Sequence, residues 1–414
     1  MKQINYIDIF AGTSALSEGF KQAGFNPVAH VEMDKDACNT IKTRIAYHYL
    51  KAENKHGFYY DYVCGETDRK TFYASLPDNL DKTLINCEIS DVTKKYIFAQ
   101  IADNLKNQCL NSVDLIVGGP PCQGYSQRSR FEINPENDKR LHLYIQYGYF
   151  LKEFTPKVFI FENVLGLLNF GNGKIYSDIL EHFRQAGYEV DSKVLNACDY
   201  GVLQNRKRLF LVGWRKDLKF SFPSLKKIIH THTLGEILDD LSPLKPGENI
   251  RKGRYSEEAG VYAKRFGIRD EMIDFYTQHF TRPHNENDRN IYKLAIVKWE
   301  NEKKRLKYPD DIPERLHTQR NKSSFFDRFK VVDRYGLSHT IIAHIAKDGH
   351  YYIHPDVSQC RSLSVREAAR IQSFPDSYFF EGSRSSIFRQ IGNAVPPLLS
   401  MAFAGSIKKQ FNEI

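Results

Sequence analysis

The first half of the chain alternates short apolar runs with stretches of helical periodicity. The apolar runs are YIDIF, PVAHVE, DLIVGG, KVFIFENV and RLFLVGW, each short enough to be a strand buried on both faces. The helical stretches between them include GTSALSEGFKQAGF, DKDACNTIKTRI, LHLYIQYGYFLKEF and SDILEHFRQAGY. We expect the first of these to be a turn followed by a helix that Thr13 or Ser14 caps. The alternation predicts an α/β fold with a parallel sheet and helices on both faces.

This rhythm ends after Trp214. Residues 215 to about 330 are rich in Lys, Arg, His and Asn at irregular spacing. Further on, SVREAARIQSF predicts a helix, and IFRQIGNAVPPLLSMAFAGSIKKQF predicts a turn and then an apolar helix that packs back on the first sheet. The pattern therefore predicts one domain over residues 1–214, completed by 384–414, and a smaller, mixed domain over 215–383. Residues 51–84 look like an insertion between two strands, with no assigned role.

Composition narrows the class of protein. The chain has 414 residues, 41% of them hydrophobic, and no apolar run is long enough to cross a bilayer. The N-terminus lacks the organisation of a signal peptide, so we expect a cytoplasmic protein without a membrane partner. None of the seven cysteines forms a C-x-x-C pair, which indicates neither a metal site nor a disulfide framework. In a reducing compartment Cys122 stays a free thiol.

The positive charge is uneven. The net charge is +9, and residues 215–330 hold 25 Lys and Arg against 18 Asp and Glu, a local net charge of +7. A concentrated basic excess favours a polyanionic partner such as a nucleic acid. A solvated basic surface is the alternative.

One candidate ligand site lies near the N-terminus. In IDIFAGTSALSEGF a turn containing Gly12 joins a strand to a helix, and Glu32 ends the next strand 20 residues later. Such a turn aims N–H groups at a ligand, and an acid at that distance suits ribose hydroxyls. The G-x-G-x-x-G of a dinucleotide site is absent, which disfavours NAD. We expect Asp91, in EISDV, to end a third strand and accept from an adenine amino group. A turn glycine and strand-end carboxylates are the plain alternative.

A second candidate site follows the later strands. The strand DLIV runs into GGPP and Cys122, so two prolines fix the thiol at a carboxyl end of the sheet. Gly124 can serve as a hinge for the long loop SQRSRFEINPENDKR, although a lone cysteine is more often structural. Strand VFIF ends at Glu162, which either holds a proton in a closed pocket or caps a turn. QNRKR, before the last apolar strand, is either a partner for an anion or a basic edge.

Together these blocks resemble the DNA cytosine-5 methyltransferases. The matching blocks occur in the order of that family: DIFAG, VEMD, SDV, GGPPCQGYS, FENV, QNRKR, RSLSVREAARIQSFPD and QIGNAVPP. They cover most of the chain outside 215–330 and 51–84. The resemblance implies a Rossmann-like, S-adenosylmethionine-dependent methyltransferase sheet over 1–214 and 384–414, with 215–383 as the target-recognition domain. Two departures are Thr13, Ser14 and Ala15 in place of glycines, and Met33 in place of a bulkier aromatic residue.

The resemblance also implies a role for individual residues. Cys122 would attack C6 of the target cytosine, Glu162 would bond N3 and the amino group of the base, and Arg206 and Arg208 would support the acid. The S-adenosylmethionine pocket would comprise Phe10, Ala11, Gly12, Glu32, Met33, Asp91, Val92, Pro120, Leu143, Asn393 and Val395. The DNA contacts would include Gln123, Ser126 and Arg128. No metal is implied.

The chemistry agrees with those residue types. A thiolate added at C6 makes C5 nucleophilic and leaves easily afterwards, which Cys allows and Ser does not. Because the target atom lies inside the duplex, the base must be flipped out. The resemblance implies double-stranded DNA as partner, a monomer in a prokaryotic cytoplasm, associated with the nucleoid when bound to DNA, and a restriction endonuclease of the same site as a candidate partner.

Three alternatives remain open. A tRNA-directed enzyme of the same fold usually carries Cys-Phe-Thr, which is absent here. A catalytically inactive, cofactor-binding regulator is disfavoured by the intact Cys122, Glu162, Arg206 and Arg208. An NAD oxidoreductase is the most distant alternative.

Overall fold

The computed structural model describes residues 3–121, 142–229, 231–270, 273–317 and 326–413. Its strands are β1 (Asn5–Ile9), β2 (Asn26–Glu32), β3 (Leu84–Asn86), β4 (Leu115–Gly118), β5 (Val158–Asn163), β6 (Tyr188–Asn196), β7 (Gln204–Asn205), β8 (Lys207–Arg215), β9 (Asn249–Arg254), β10 (Phe275–Phe280) and β11 (Ser338–His339).

The α-helices are α1 (Ala15–Gln22), α2 (Lys35–Ala52), α3 (His56–Cys64), α4 (Arg69–Ala74), α5 (Lys94–Asn107), α6 (Leu143–Phe154), α7 (Lys174–Gln185), α8 (Gly235–Leu238), α9 (Val261–Arg265), α10 (Glu286–Glu302), α11 (Val365–Ile371), α12 (Arg384–Asn393) and α13 (Pro397–Phe411). Short 3₁₀ turns cover Leu165–Leu168, Phe170–Gly173, Ala197–Tyr200, Glu314–Leu316 and Ala343–Ala346. Within the described ranges, no helix is both long and apolar enough to span a membrane.

A seven-stranded sheet organises the fold, in the order β3-β2-β1-β4-β5-β8-β6. The pairs from β3 to β5 are parallel, as the alternating pattern predicts. Strand β8 runs antiparallel to both β5 and β6, so the prediction of a parallel sheet is wrong at this edge. The α/β class is confirmed.

Both faces of this sheet are covered. Alternate residues of one strand point to opposite faces, so Phe159 joins a core with helices α5 to α7, while Val158 and Ile160 join a core on the other face. The second core includes Phe403 and Ile407 of α13. The apolar helix at the end of the chain therefore packs back on the first sheet, as predicted.

Two other secondary-structure predictions are wrong. The segment before the Pro396–Pro397 pair is the helix α12 and not a turn, with Ser383 as its side-chain cap. Ser14 precedes α1 but has a left-handed φ of 62°, and its side chain makes no capping hydrogen bond. A capping serine normally holds an extended backbone, which places its oxygen over the first free N–H groups of the helix. The left-handed turn at Ser14 prevents that geometry.

The segment after β8 forms two clusters of buried residues. One lies wholly between Ile291 and Ile353 and is built on α10. The other joins Leu234 and Leu363 to Ile387 of α12 and to Ala15 of α1. The antiparallel hairpin β9–β10 forms a separate two-stranded sheet.

Candidate active site

The turn between β1 and α1 has an unusual backbone. Phe10 and Gly12 have a φ of 55° and Ser14 a φ of 62°, so every second residue is left-handed. Two of these three are not glycine, and the left-handed conformation costs such residues about 1–2 kcal/mol each. Residues held in this way cluster at ligand sites, because the surrounding structure must enforce them. We call residues 10–14 the cofactor turn.

Asp8 contacts this turn through Ser14, and Asp8 was not identified as a site residue from the sequence. Asp8 is buried, and the Ser14 hydroxyl donates to its Oδ2 at 3.4 Å. Burial raises the pKa of Asp8 well above its usual value, and the nearby Glu32 raises it further. The available signal was a carboxylate in the middle of an otherwise apolar strand.

Glu32 lies at the carboxyl end of β2, as predicted, and contacts the cofactor turn. Its carboxylate accepts from the backbone N–H groups of Gly12 at 2.7 Å, Met33 at 2.9 Å and Asp34 at 2.8 Å. Burial raises the pKa of Glu32, although the three N–H donors oppose that effect. The acid is thus fixed beside the turn, at the carboxyl end of β2.

The placement of Asp91 at a strand end is wrong. Strand β3 ends at Asn86, and Asp91 follows in a turn, with its side chain 71% exposed and paired with Lys94 at 2.7 Å. Its neighbour Val92 is 90% exposed, and Met33 is 60% exposed. Two large apolar side chains therefore stand in solvent near the carboxyl ends of β2 and β3.

The other predicted pocket residues lie at the ends of four elements. Pro120 is buried just after β4, and Leu143 is half-buried at the first turn of α6. Asn393, at the end of α12, is exposed, while Val395 is buried against α1 and α13. Phe10 is half-buried and Ala11 is buried.

Glu162 is the best-defined acid of the site. It lies near the end of β5, beside β4, with a side chain 12% exposed, and its Oε1 is 3.1 Å from Nε of Arg208. A methyl group at Gly119 would lie 2.7 Å from Oε2 of Glu162. The carboxyl group can therefore occupy this position only because residue 119 is a glycine. Burial raises the pKa of Glu162, and Arg208 and Arg206 only partly offset the rise. The protonated form of Glu162 is therefore more favoured in this site than it would be in water.

The two predicted arginines have different surroundings. Arg208, on β8, pairs with Glu162 across the β5–β8 ladder. Arg206 is fully buried, and its guanidinium donates to the carbonyls of Ile341 and Gly392. Arg206 therefore ties the strand region before β8 to α12 and to the segment before Ala343, and its charge lowers the pKa of Glu162.

Four predicted residues, Cys122, Gln123, Ser126 and Arg128, lie outside the described residues, and so does the predicted loop that follows Gly124. The strand that leads to them is described. Leu115–Gly118 form β4 in the centre of the sheet, and Asn163 Nδ2 donates to the Pro120 carbonyl at 3.4 Å. The backbone two residues before Cys122 is thus held next to the end of β5.

A mainly parallel sheet with this turn after its first strand and this acid near the end of a central strand is typical of an α/β enzyme of the methyltransferase class. The model of one family, C-5 cytosine-specific DNA methylase, matches residues 4–56 and 75–409. The chain belongs to this family and is a DNA cytosine-5 methyltransferase. The resemblance read from the sequence motifs is confirmed.

Individual relatives agree with this assignment. The chain is 40% identical to the type II methyltransferase M.Bpa9945I of Bacillus paralicheniformis, over 98% of this chain and 99% of the relative. It is 31% identical to the type II methyltransferase M.XorII of Xanthomonas oryzae pv. oryzae, over 97% of this chain and 84% of the relative. A solved structure described as an E. coli prophage DNA modification methyltransferase matches 99% of this chain with a TM-score of 0.68 at 22% identity, which supports the fold.

Proposed function

We propose that the enzyme methylates C5 of a flipped-out cytosine at a specific duplex site, with S-adenosylmethionine as methyl donor and a covalent bond between Cys122 and C6. The observation that carries the proposal is the carboxyl group of Glu162, which is buried, biased toward its protonated form and adjacent to the backbone that leads to Cys122. A protonated acid can donate to N3 of cytosine and neutralise charge on the ring.

The proposed chemistry divides between two residues of this chain. The Cys122 thiolate would add to C6, which makes C5 an enamine carbon and a nucleophile. Glu162 would hold the ring at N3 and supply its proton there. After C5 has taken the methyl group, water would accept the C5 proton as the thiolate leaves C6, and the N3 proton would return to Glu162, which restores the aromatic ring. Arg208 would orient Glu162, since the two side chains are in contact.

The residues around the cofactor turn fit S-adenosylmethionine. Bound there, the molecule supplies an electrophilic methyl group on a sulfonium sulfur. Glu32 would accept from the ribose hydroxyls, and the exposed Met33 and Val92 offer apolar surface that an adenine ring would cover. Asp91, Phe10, Ala11, Gly12, Pro120, Leu143, Asn393 and Val395 stay candidates for the rest of the pocket.

We further propose that residues 215–383 form the target-recognition domain and that 384–414 complete the catalytic domain. The separate core built on α10 supports the first part, and the packing of α13 on α1 supports the second. The basic excess of residues 215–330 favours duplex DNA over tRNA as substrate. Gln123, Ser126 and Arg128 are candidate DNA contacts.

The proposal extends to the cellular setting. The relatives named as type II methyltransferases support a restriction endonuclease of the same site as a partner. We propose a monomer in the bacterial cytoplasm, where the DNA substrate lies.

The test is the Cys122→Ala variant. We expect it to lose methyl transfer and still to bind S-adenosylmethionine, and we expect the wild type to form a covalent complex with duplex DNA that carries 5-fluorocytosine at the target. Full activity of the variant would refute the role of Cys122. A stable adduct with tRNA alone would favour the tRNA-directed alternative. Neutralising lysines and arginines within 215–330 should weaken DNA binding and flatten its salt dependence.

A further inference from the structure

Residues 57–74 are a feature of this chain that the family model leaves unmatched. They form most of α3 and all of α4, between α2 and β3. Their rings build a small core against α2, in which Tyr62 stacks on Phe72 with centroids 4.4 Å apart and planes 4° apart. The segment is therefore a folded element with its own packing. We call it the inserted helix pair.

The inserted helix pair is bonded to the turn over residues 375–381. The Tyr59 hydroxyl donates to the Ser377 carbonyl at 2.7 Å, and the Tyr62 hydroxyl donates to Glu381 Oε1 at 2.6 Å. Arg69 lies 3.4 Å from the other oxygen of Glu381. These are buried or half-buried bonds between parts of the chain that are more than 300 residues apart.

The same helices touch the hairpin β9–β10. Glu66 pairs with Lys252 of β9 at 3.0 Å, and the Tyr60 ring meets Phe275 of β10 edge-on, with centroids 5.5 Å apart. A methyl group on Gly65 would overlap the guanidinium of Arg251, so this arginine packs on bare backbone. The contact thus combines charge, aromatic packing and a close approach at a glycine.

The turn over 375–381 leads on to the cofactor turn. Tyr378 is fully buried, and its hydroxyl donates to the Thr13 carbonyl. The Arg44 guanidinium lies 4.7 Å from the Tyr378 ring centroid and donates to the Ser377 carbonyl at 3.2 Å. One carbonyl, that of Ser377, is therefore held by both Arg44 and Tyr59.

We infer that the inserted helix pair positions the cofactor turn and the β9–β10 hairpin relative to each other, with Tyr59 and Tyr378 as positioning residues. The cofactor turn lacks the glycines that the family often has there, and two of its left-handed residues are strained. A turn of this kind needs external support, and the bond from Tyr378 supplies it. Tyr59 acts one step further away, because it fixes the residue before Tyr378.

The test uses hydroxyl deletions, which preserve the packing of the rings. Tyr59→Phe and Tyr378→Phe should each raise the KM for S-adenosylmethionine between about twofold and tenfold, the range for loss of one hydrogen bond, with kcat within about twofold of wild type. Because Tyr59 acts through Tyr378, the double variant should be no worse than the more affected single variant. Tyr49→Phe is the matched control, since its ring packs on the same core and its hydroxyl has no hydrogen bond within the described residues.

A second measurement does not depend on the proposed cofactor, on which the KM test rests. Hydrogen exchange of the unliganded enzyme should be faster in Tyr59→Phe than in wild type at residues 10–15 and at β9, and unchanged in Tyr49→Phe. If the wild type bound no S-adenosylmethionine, the proposed function would fail while the exchange data still decided the positioning role. Wild-type exchange at both places in Tyr59→Phe, or additive effects of the two substitutions on KM, would overturn the inference.

Discussion

Replacing Glu162 by glutamine should abolish catalysis without unfolding the protein. The pKa of Glu162 is raised by burial despite the contact with Arg208 at 3.1 Å, so desolvation of the carboxylate outweighs the attraction of the arginines. A neutral amide of the same shape avoids that desolvation. We therefore expect Glu162→Gln to change the free energy of unfolding by less than about 1 kcal/mol, because relief of the carboxylate's desolvation offsets the loss of its contact with Arg208. Methyl transfer should fall by at least about 100-fold, because an amide is too weak an acid to transfer a proton to N3.

The matched variant is Arg208→Met, which leaves the buried carboxylate without its contacting cation. Removing one partner of a buried pair costs about 3–5 kcal/mol, and the 12% exposure of both side chains reduces our expectation to about 2 kcal/mol. The cost should depend on pH. Removing Arg208 raises the pKa of Glu162 further. An acid whose pKa is raised by folding stabilises the protein at pH values below its pKa in the unfolded chain, which is 4.5 for Glu162. That contribution is lost as the pH rises through the pKa of the folded state. The destabilisation should therefore be large at pH 8.5 and small at pH 5.

The assays are urea unfolding at the two pH values and incorporation of a tritiated methyl group into duplex DNA. The reasoning would be refuted if Glu162→Gln destabilised the protein more than Arg208→Met at pH 8.5, since the carboxylate would then be a net stabilising group. Retained activity in Glu162→Gln would refute the proton donation.

Three further predictions concern single side chains. Gly119→Ala should displace the Glu162 carboxyl, 2.7 Å from the new methyl group, and lower kcat by about 10- to 100-fold with an unchanged dissociation constant for S-adenosylmethionine, measured calorimetrically. Glu32→Ala should remove the acceptor of three backbone N–H groups and raise the KM for S-adenosylmethionine by about tenfold or more in steady-state assays; an unchanged KM would exclude Glu32 from the pocket. Glu367→Gln should cost about 3–5 kcal/mol in urea unfolding, since the buried Arg361 loses its carboxylate partner. Burial opposes ionisation of Glu367, but Arg361 holds the pKa of Glu367 well below 4.5. The stability that this pair gives the wild type is therefore present above pH 4.5 and lost as the pH falls through the folded pKa. A stability difference between wild type and Glu367→Gln that did not shrink on acidification would contradict this assignment.

The sheet was largely predictable because its central strands are buried on both faces. Runs such as Leu115–Gly118 and Val158–Asn163 are continuously apolar for that reason. Strand β6 lies at the sheet edge and alternates exposed residues, so Tyr188–Asn196 carries no apolar run and was missed. The antiparallel direction of β8 depends on how the chain returns to the sheet, which no local pattern reports.

The site was predictable where residue type and strand ends coincide, as at Glu32 and Glu162. Asp91 was misplaced because β3 is only three residues long and ends five residues before it. The bond from Tyr378 to Thr13, next to the left-handed Ser14, joins residues more than 360 positions apart in the sequence. A local sequence pattern cannot predict such a contact, since it forms only when two distant segments of the folded chain pack together.

The packing of α13 on α1 sets an order of events during synthesis. Ser400 donates to the Leu16 carbonyl 384 residues away, and a methyl group on Gly19 would overlap the backbone of Ser400 and Met401. Helix α1 therefore leaves the ribosome long before α13, and its face toward α13 stays uncovered until α13 has been made. Contacts of such high sequence separation form slowly. Helix α1 and the turn before it should consequently reach their final packing only after α13 has been synthesised.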